Sequence, residues 1–396
     1  MGAVKPRPYT TLMSIATLPA LSEFAELVRR FAIHGETGAA VPYGSGHIND
    51  TFAVTVSQAG TPVRYIFQRI NHRIFTDVPA LMDNILRVTS HQQARLAATE
   101  ADDASRRSLT VIPARDGLPY GRDDHGAWWR AYLFIERALT HDKIESAAQA
   151  RTAARAFGEF QRLLADLPGG RLNETIPAFH DTPRRYAGFE TAVMADPDGR
   201  AESCAAEIQF ARSRSVLARR LADLLAAGLV PERVTHNDTK LNNVMLDDAT
   251  GAGVCVIDLD TVMPGLSLYD FGDMVRSATN AAAEDETDLT KVVARPEIFA
   301  ALAEGFLAGA GTALNEVERA HLVVAGQVIT YEIGLRFLTD HLQGDVYFKI
   351  KRPHHNLDRA RNQFALLRSL EEKSTVFDRI VAEACAVLKL SPVVSP

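Results

Sequence analysis

The chain has 396 residues, 46% of them hydrophobic and 23% charged, with a formal net charge of −6. That length allows two lobes, each with its own core, in an ordinary globular protein. The acidic balance and the lack of a basic run argue against a nucleic-acid partner. Three widely spaced cysteines, Cys204, Cys255 and Cys385, argue against a disulfide framework or zinc site and fit a reducing compartment.

Residues 1–20 imitate a signal peptide only loosely. Lys5 and Arg7 precede a mildly apolar run broken by Ser14, Thr17 and Pro19, without an A-x-A site. Pro6 stands where a myristoylation signal needs Ser or Thr. The expectation is a disordered extension on a cytoplasmic protein, with no apolar stretch long enough to span a membrane.

Apolar spacing over Leu21–Ile33 predicts an amphipathic helix. Gly44-Ser45-Gly46, followed by His47 and alternating apolar residues, predicts strand, tight turn and strand. Val63–Ile70 reads as a further strand, followed by a helix over Ala80–Thr89. Strands at Val111–Ala114 and Trp128–Ile135 close a lobe of residues 21–137, with Trp128 and Trp129 read as packing residues. Residues 138–146 read as a linker after Glu136, and 147–396 as a larger, mainly helical lobe.

In that second lobe Ser146 is placed to cap a helix through Leu167. Residues 170–200, rich in Pro, Gly and Arg, read as an irregular connection, and Ala205–Ala227 as one helix. Val244–Leu246 and Val254–Ile257, separated by turn residues, predict a β-hairpin. Asp270–Asn280 reads as a helix whose Asp270 and Asp273 anchor the preceding loop, and Glu284–Asp288 as an acidic surface loop. Glu316–His341 reads as one long helix and Leu357–Leu370 as the closing helix. His354, His355 and Asp358 are read as capping and surface residues rather than a metal site.

The hairpin carries the chemistry. It is entered by His236-Asn237-Asp238-Thr239-Lys240-Leu241-Asn242-Asn243 and left through Asp258-Leu259-Asp260. Polar groups therefore gather at one end. Phosphoryl transfer needs one carboxylate to take the proton of an attacking hydroxyl, and an amide oxygen and second carboxylate to hold Mg²⁺. Asp238 fits the first role, and Asn243 with Asp258 the second. Lys240 supplies a compact positive charge for the transferred phosphate.

HNDTKLNN and IDLD resemble the catalytic loop and metal-binding segment of aminoglycoside-phosphotransferase-type small-molecule kinases, which have the protein-kinase-like fold. The longer wording HNDTKLNNVMLDD…VIDLDTVMPGLSLYDFGD, with GHINDT and QRIN in the first lobe, is similar to N-acetylhexosamine 1-kinases. The resemblance implies an α+β, two-lobed fold with an antiparallel-sheet lobe and a helical lobe. It also implies ATP and Mg²⁺, and a sugar phosphorylated at its anomeric hydroxyl. On it, Gly44, Ser45 and Gly46 cover the phosphates, Glu136 lies at the adenine hinge, and His47, Arg336 and Tyr347 meet the sugar. His236 braces the loop.

Two departures stand out. Where a protein kinase has its phosphate-binding lysine, this chain has Gln68 and Arg69, and the next helix offers Asp83 but no Glu. Arg69 takes the lysine's work, or Lys240 carries it alone. Ser277 stands where the family is expected to have a bulkier residue. Two other readings follow from the residues: a same-fold kinase of another hydroxyl (another sugar, an aminoglycoside or an amino alcohol), or a nucleotide-binding pseudokinase, which only the missing lysine supports.

Overall fold

A computed structural model describes residues 21–44, 48–99 and 103–390. The expectations for residues 1–20, Ser45, Gly46 and His47 lie outside the described residues. The first lobe opens with α1 (Leu21–Arg29), which turns Phe24, Leu27 and Val28 inward. A meander follows: β1 (Glu36–Pro42), β2 (Asp50–Gln58) and β3 (Thr61–Arg69). Next come α2 (Val78–Ala97), capped by the Asp77 side chain, and β4 (Val111–Ile112), β5 (Gly121–Arg122) and β6 (Trp128–Leu133). The sheet runs β1-β2-β3-β6-β4, with β5 also on β6 and every pair antiparallel. Period-2 alternation sends Phe52, Val54 and Val56 of β2 into a core with Phe67, Trp129 and Phe24.

The linker expected at 138–146 contains a strand, β7 (Ala138–Leu139), and then the Ser146 cap of α3 (Ala147–Leu163). The irregular reading of 170–200 is corrected by α4 (Thr182–Ala195). Asp181 caps it, and Pro183 sits in its first turn, where its missing N–H costs nothing. The single helix expected over Ala205–Ala227 is two, α5 (Ala205–Ser213) and α6 (Val216–Ala226). Arg214 lies at the break and reaches Glu371 at 2.9 Å.

Four short strands carry the central stretch: β8 (Arg233–Thr235), β9 (Val244–Asp247), β10 (Gly253–Val256) and β11 (Met263–Gly265). The predicted hairpin is β9–β10, extended by β7, while β11 pairs β8. The helices after it are α7 (Ser267–Ala278), α8 (Pro296–Ala310), α9 (Glu316–Ala320), α10 (Leu322–Leu342), α11 (His355–Glu372) and α12 (Ser374–Val387).

Sequence reading passed over α8. It packs on α3 so closely that a Cβ at Gly158, Gly305 or Gly309 would fall on facing backbone. The long helix expected from Glu316 breaks at His321 into α9 and α10. Leu357–Leu370 belongs to α11 and is not the last helix: α12 follows, stacking Phe377 on Phe299 with ring centroids 4.2 Å apart. Among the described residues one helix, α10, is long and apolar enough to cross a membrane, which corrects the expectation that none would be. Some 72% of its most apolar window is buried inside the protein, so the apolarity serves the core.

Candidate active site

The loop between β8 and β9 is held from below by α7. Asp270, in the first turn of that helix and fully buried, accepts from the backbone N–H of His236 (3.0 Å) and Asn237 (2.7 Å) and from Gln161 (2.6 Å). Asp273, one turn on, accepts from the N–H of Thr239 at 3.0 Å and from Arg276 at 2.9 Å. Burial pushes the Asp270 carboxyl up, whereas Arg276 and Lys240 overcome burial and hold Asp273 down. Charge-assisted bonds of this kind contribute about 1.5–3 kcal/mol each. The anchoring role expected for Asp270 and Asp273 is thus visible as three backbone contacts.

His236 is fully buried, edge-on to Phe157 and Phe160. Its Nε2 lies 2.9 Å from the Ile257 carbonyl, which requires a donor, and its Nδ1 accepts from Asp238 N–H at 3.3 Å. The ring therefore braces loop against hairpin in one neutral tautomer.

Asp238 meets Lys240 at 2.9 Å through Oδ1 and the Asn243 amide at 3.1 Å through Oδ2. Asn243 also donates to the Asp238 carbonyl at 2.7 Å, and among the described residues nothing donates to its Oδ1. The Asn243 carbonyl accepts from Ile257 N–H at 2.9 Å, so Asp258 follows the rung beside it. Asp258 holds a left-handed backbone, φ 59°. Burial, with Asp260 and Asp238 nearby, pushes its carboxyl up to about 6. Lys240 is held charged: burial lowers its pKa, but Asp238 and Asp273 outweigh burial and raise it.

On the sheet side, Gly44 has φ 78°, the positive value a tight turn asks of glycine. Arg69 gives two of its donors to Asp50, at 2.9 and 2.5 Å. Glu136 pairs with Arg64 at 2.8 Å, and its carbonyl accepts from Arg106 at 2.9 Å. The interior cation that sequence reading missed is Arg130 of β6. It is 1% exposed, bonded to Gln68 at 2.9 Å and ion-paired with Asp260. Its signal was weak because nothing near Trp129-Arg130-Ala131 spells a site.

The loop's other flank leads to α10. The His180 ring lies 2.9 Å from Glu332 through Nδ1 and 3.2 Å from the Asn237 carbonyl through Nε2, and Thr182 donates to Glu332 at 2.6 Å. One turn beyond Glu332, the Arg336 guanidinium lies 5.9 Å from the ring of Tyr347, 5.5 Å from Phe348 and 5.7 Å from Phe179. Arg336 and Tyr347, 11 positions apart in sequence, thus adjoin, and Tyr347 is exposed. Ser277, on α7, turns its hydroxyl toward the Met274 carbonyl at 3.4 Å.

His355 corrects the surface reading of the HH pair. It is fully buried, 2.9 Å from Asp285 and accepting from Lys351 N–H at 3.1 Å, while Asp358 pairs with Arg352. A cavity of about 330 Å³ lies behind the loop, lined by Phe179, His180, Tyr269 and Asn237; Asp238, Asn243 and Asp258 are not among its lining residues.

Among solved structures, the chain is similar to an aminoglycoside phosphotransferase from Alicyclobacillus acidocaldarius, at 12% identity and a TM-score of 0.60, covering 96% of this chain and 99% of that one. It is also similar to a choline kinase from Cryptosporidium parvum Iowa II, at 14% identity and a TM-score of 0.54, covering 93% and 99%. At such identities the likeness establishes the fold alone: protein-kinase-like, with an antiparallel-sheet lobe and a helical one. A sequence profile matches residues 39–319, and with that the chain belongs to the phosphotransferase enzyme family.

Proposed function

We propose that this phosphotransferase is an ATP-dependent kinase of the anomeric hydroxyl of an N-acetylhexosamine. The observation that carries phosphoryl transfer is the contact of Asp238 with both Lys240 and Asn243, one hairpin rung from Asp258. Asp238, aimed by those two donors, takes the proton of the hydroxyl as it attacks. Lys240 offsets the charge on the moving phosphoryl group. Asn243 Oδ1 and the Asp258 carboxylate are hard oxygen donors that suit Mg²⁺, which when bound would neutralise the nucleotide phosphates. The glycine turn, Gly44, Ser45 and Gly46, covers those phosphates from the sheet lobe, and the chain around Glu136 meets the adenine. Arg69, its donors turned to Asp50, leaves Lys240 as the phosphate-side cation.

Acceptor choice rests on Arg336, Tyr347 and His47. A guanidinium fork beside a phenol offers donors for sugar hydroxyls and an acetamido carbonyl, with an aromatic face for the ring. Burial, then the charge of Arg336, lowers the pKa of Arg185, with the Glu332 carboxylate opposing them. A cytoplasmic location accords with ATP as co-substrate. The test is ATP consumption across N-acetylhexosamines, simple hexoses, aminoglycosides, choline and ethanolamine. Turnover of an amine, with none of the sugars consumed, would reassign the acceptor; no consumption at all would favour the pseudokinase.

A further inference from the structure

Glu332, Arg336 and Asp340 recur every four positions along α10 and so share one face of it. The acceptor reading uses only the middle one. The outer two are buried carboxylates, 0% and 2% exposed, and a buried carboxylate persists only where donors satisfy it. Those donors come from two separate parts of the helical lobe.

Glu332 accepts from Thr182 at 2.6 Å through one oxygen and meets His180 Nδ1 at 2.9 Å through the other. The far side of that ring, Nε2, faces the Asn237 carbonyl at 3.2 Å. Neither a carboxylate nor a carbonyl can donate, so His180 donates from both nitrogens, as an imidazolium. Asn237 has a left-handed backbone, φ 65°, which a non-glycine residue keeps only where its surroundings fix it. Its N–H is held from α7 by Asp270 at 2.7 Å, and its side chain donates to the Thr261 carbonyl at 2.9 Å. Its carbonyl belongs to the peptide that leads into Asp238, and His180 holds it.

At the other end of the stripe, Gly344 (φ 92°) and Asp345 (φ 61°) turn the chain. The N–H groups of Val346, Tyr347 and Phe348 then converge on Asp340, at 2.9, 2.7 and 2.9 Å. Asn356 adds a fourth donor at 2.9 Å. Phe348, its ring 4.7 Å from that of Phe337, ties the segment to the core; its neighbour Tyr347 is 69% exposed. An exposed phenol gives the core no reason to fix it. A ligand does, because a contact set in place beforehand spares the ordering cost of binding.

We propose that Glu332 and Asp340 are positioning residues at the two ends of one α10 stripe: Glu332, through His180, sets the base Asp238, and Asp340 sets Tyr347 beside Arg336. The inference rests on the reading of Asp238 as base and of Arg336 and Tyr347 as acceptor contacts. One unbroken helix then carries the frame for both the group that takes the proton and the groups that hold the acceptor. The two ends separate in kinetics. The Glu332 end governs how well a bound hydroxyl is aimed, and the Asp340 end how well the acceptor binds.

Steady-state kinetics with ATP, MgCl₂ and N-acetylglucosamine, or whichever acceptor of the panel is consumed, test this. The pair variant His180→Leu with Glu332→Met leaves no unpaired buried charge. It should lower kcat roughly tenfold to 10²-fold, the cost of a small misplacement of a reacting group, with the acceptor KM unchanged. Asp340→Asn should raise the acceptor KM roughly tenfold, the loss of one charge-assisted bond, with kcat and the ATP KM unchanged. If either fails to fold, His180→Gln, which keeps a neutral donor toward Asn237, and Asn356→Ala should show the same separation at smaller size. Asp238→Asn with parental kcat, or Tyr347→Ala with parental acceptor KM, would remove the reading beneath one end, whatever the stripe does. If those two variants behave as expected, a pair variant with parental kcat or an Asp340→Asn with parental acceptor KM overturns the stripe alone. Variants that shift kcat and acceptor KM together would overturn it too, because a merely structural role moves both.

Discussion

The floor of the catalytic loop and the junction between the lobes fix their carboxylates in different ways. Asp270 and Asp273 catch the loop from 31 to 34 residues away, entirely within the helical lobe. Asp260 is reached by Asn49 across 211 positions and by Arg130 across 130. The floor is local, with both partners of each contact in the helical lobe. The junction exists only when a sheet and a hairpin from distant parts of the chain come together. The catalytic loop is thus held by contacts near in sequence, and Asp260 by contacts far away in it.

The sharpest way to separate the two is to disable the base while leaving its support alone. Asp238→Asn should lower turnover roughly 10²–10⁴-fold with nucleotide affinity retained, measured by steady-state kinetics and calorimetry. Unchanged turnover would remove Asp238 from that role.

Acceptor contacts come next. Arg336→Ala should raise the acceptor KM about 10- to 100-fold, from the loss of a charged donor pair worth about 1.5–3 kcal/mol. The nucleotide KM should not move. Equal effects on both would place Arg336 in the scaffold instead.

Breaking the floor should cost stability rather than specificity. Asp270→Ala orphans two buried N–H groups and should destabilise the protein by about 2–5 kcal/mol in urea unfolding. A change under about 0.5 kcal/mol, the size of an ordinary surface substitution, would mean that the loop holds itself.

The smallest effect is a pH dependence at His180. Burial lowers its pKa but Glu332 outweighs it, so the folded-state value lies above the ordinary 6.5. Its stabilising contribution is then full below that ordinary value and fades as pH rises through the raised one. Unfolding free energy measured from pH 6 upward should decline in the parent, and the decline should flatten in His180→Gln. An identical slope in both would exclude this pair as its source.

The same division explains what the sequence made legible. The hairpin, the Ser146 cap and the anchoring aspartates were readable because their partners lie close by or obey a short period. Helix α4 was hidden by a Pro-rich composition whose proline proved to be a helix-starting one. The breaks at Arg214 and His321 carry no glycine or proline to announce them. Arg130 could not be read at all, and GHINDT was read without a partner for its Asn49, since both meet Asp260 from the other lobe.

The most direct measurement is phosphorus NMR of the product formed from ATP, Mg²⁺ and an N-acetylhexosamine. The account predicts a sugar phosphomonoester resonance coupled to the anomeric proton and missing when Asp238→Asn replaces the parent enzyme. Phosphate on another hydroxyl, inorganic phosphate alone, or the same resonance at full strength from Asp238→Asn would contradict it.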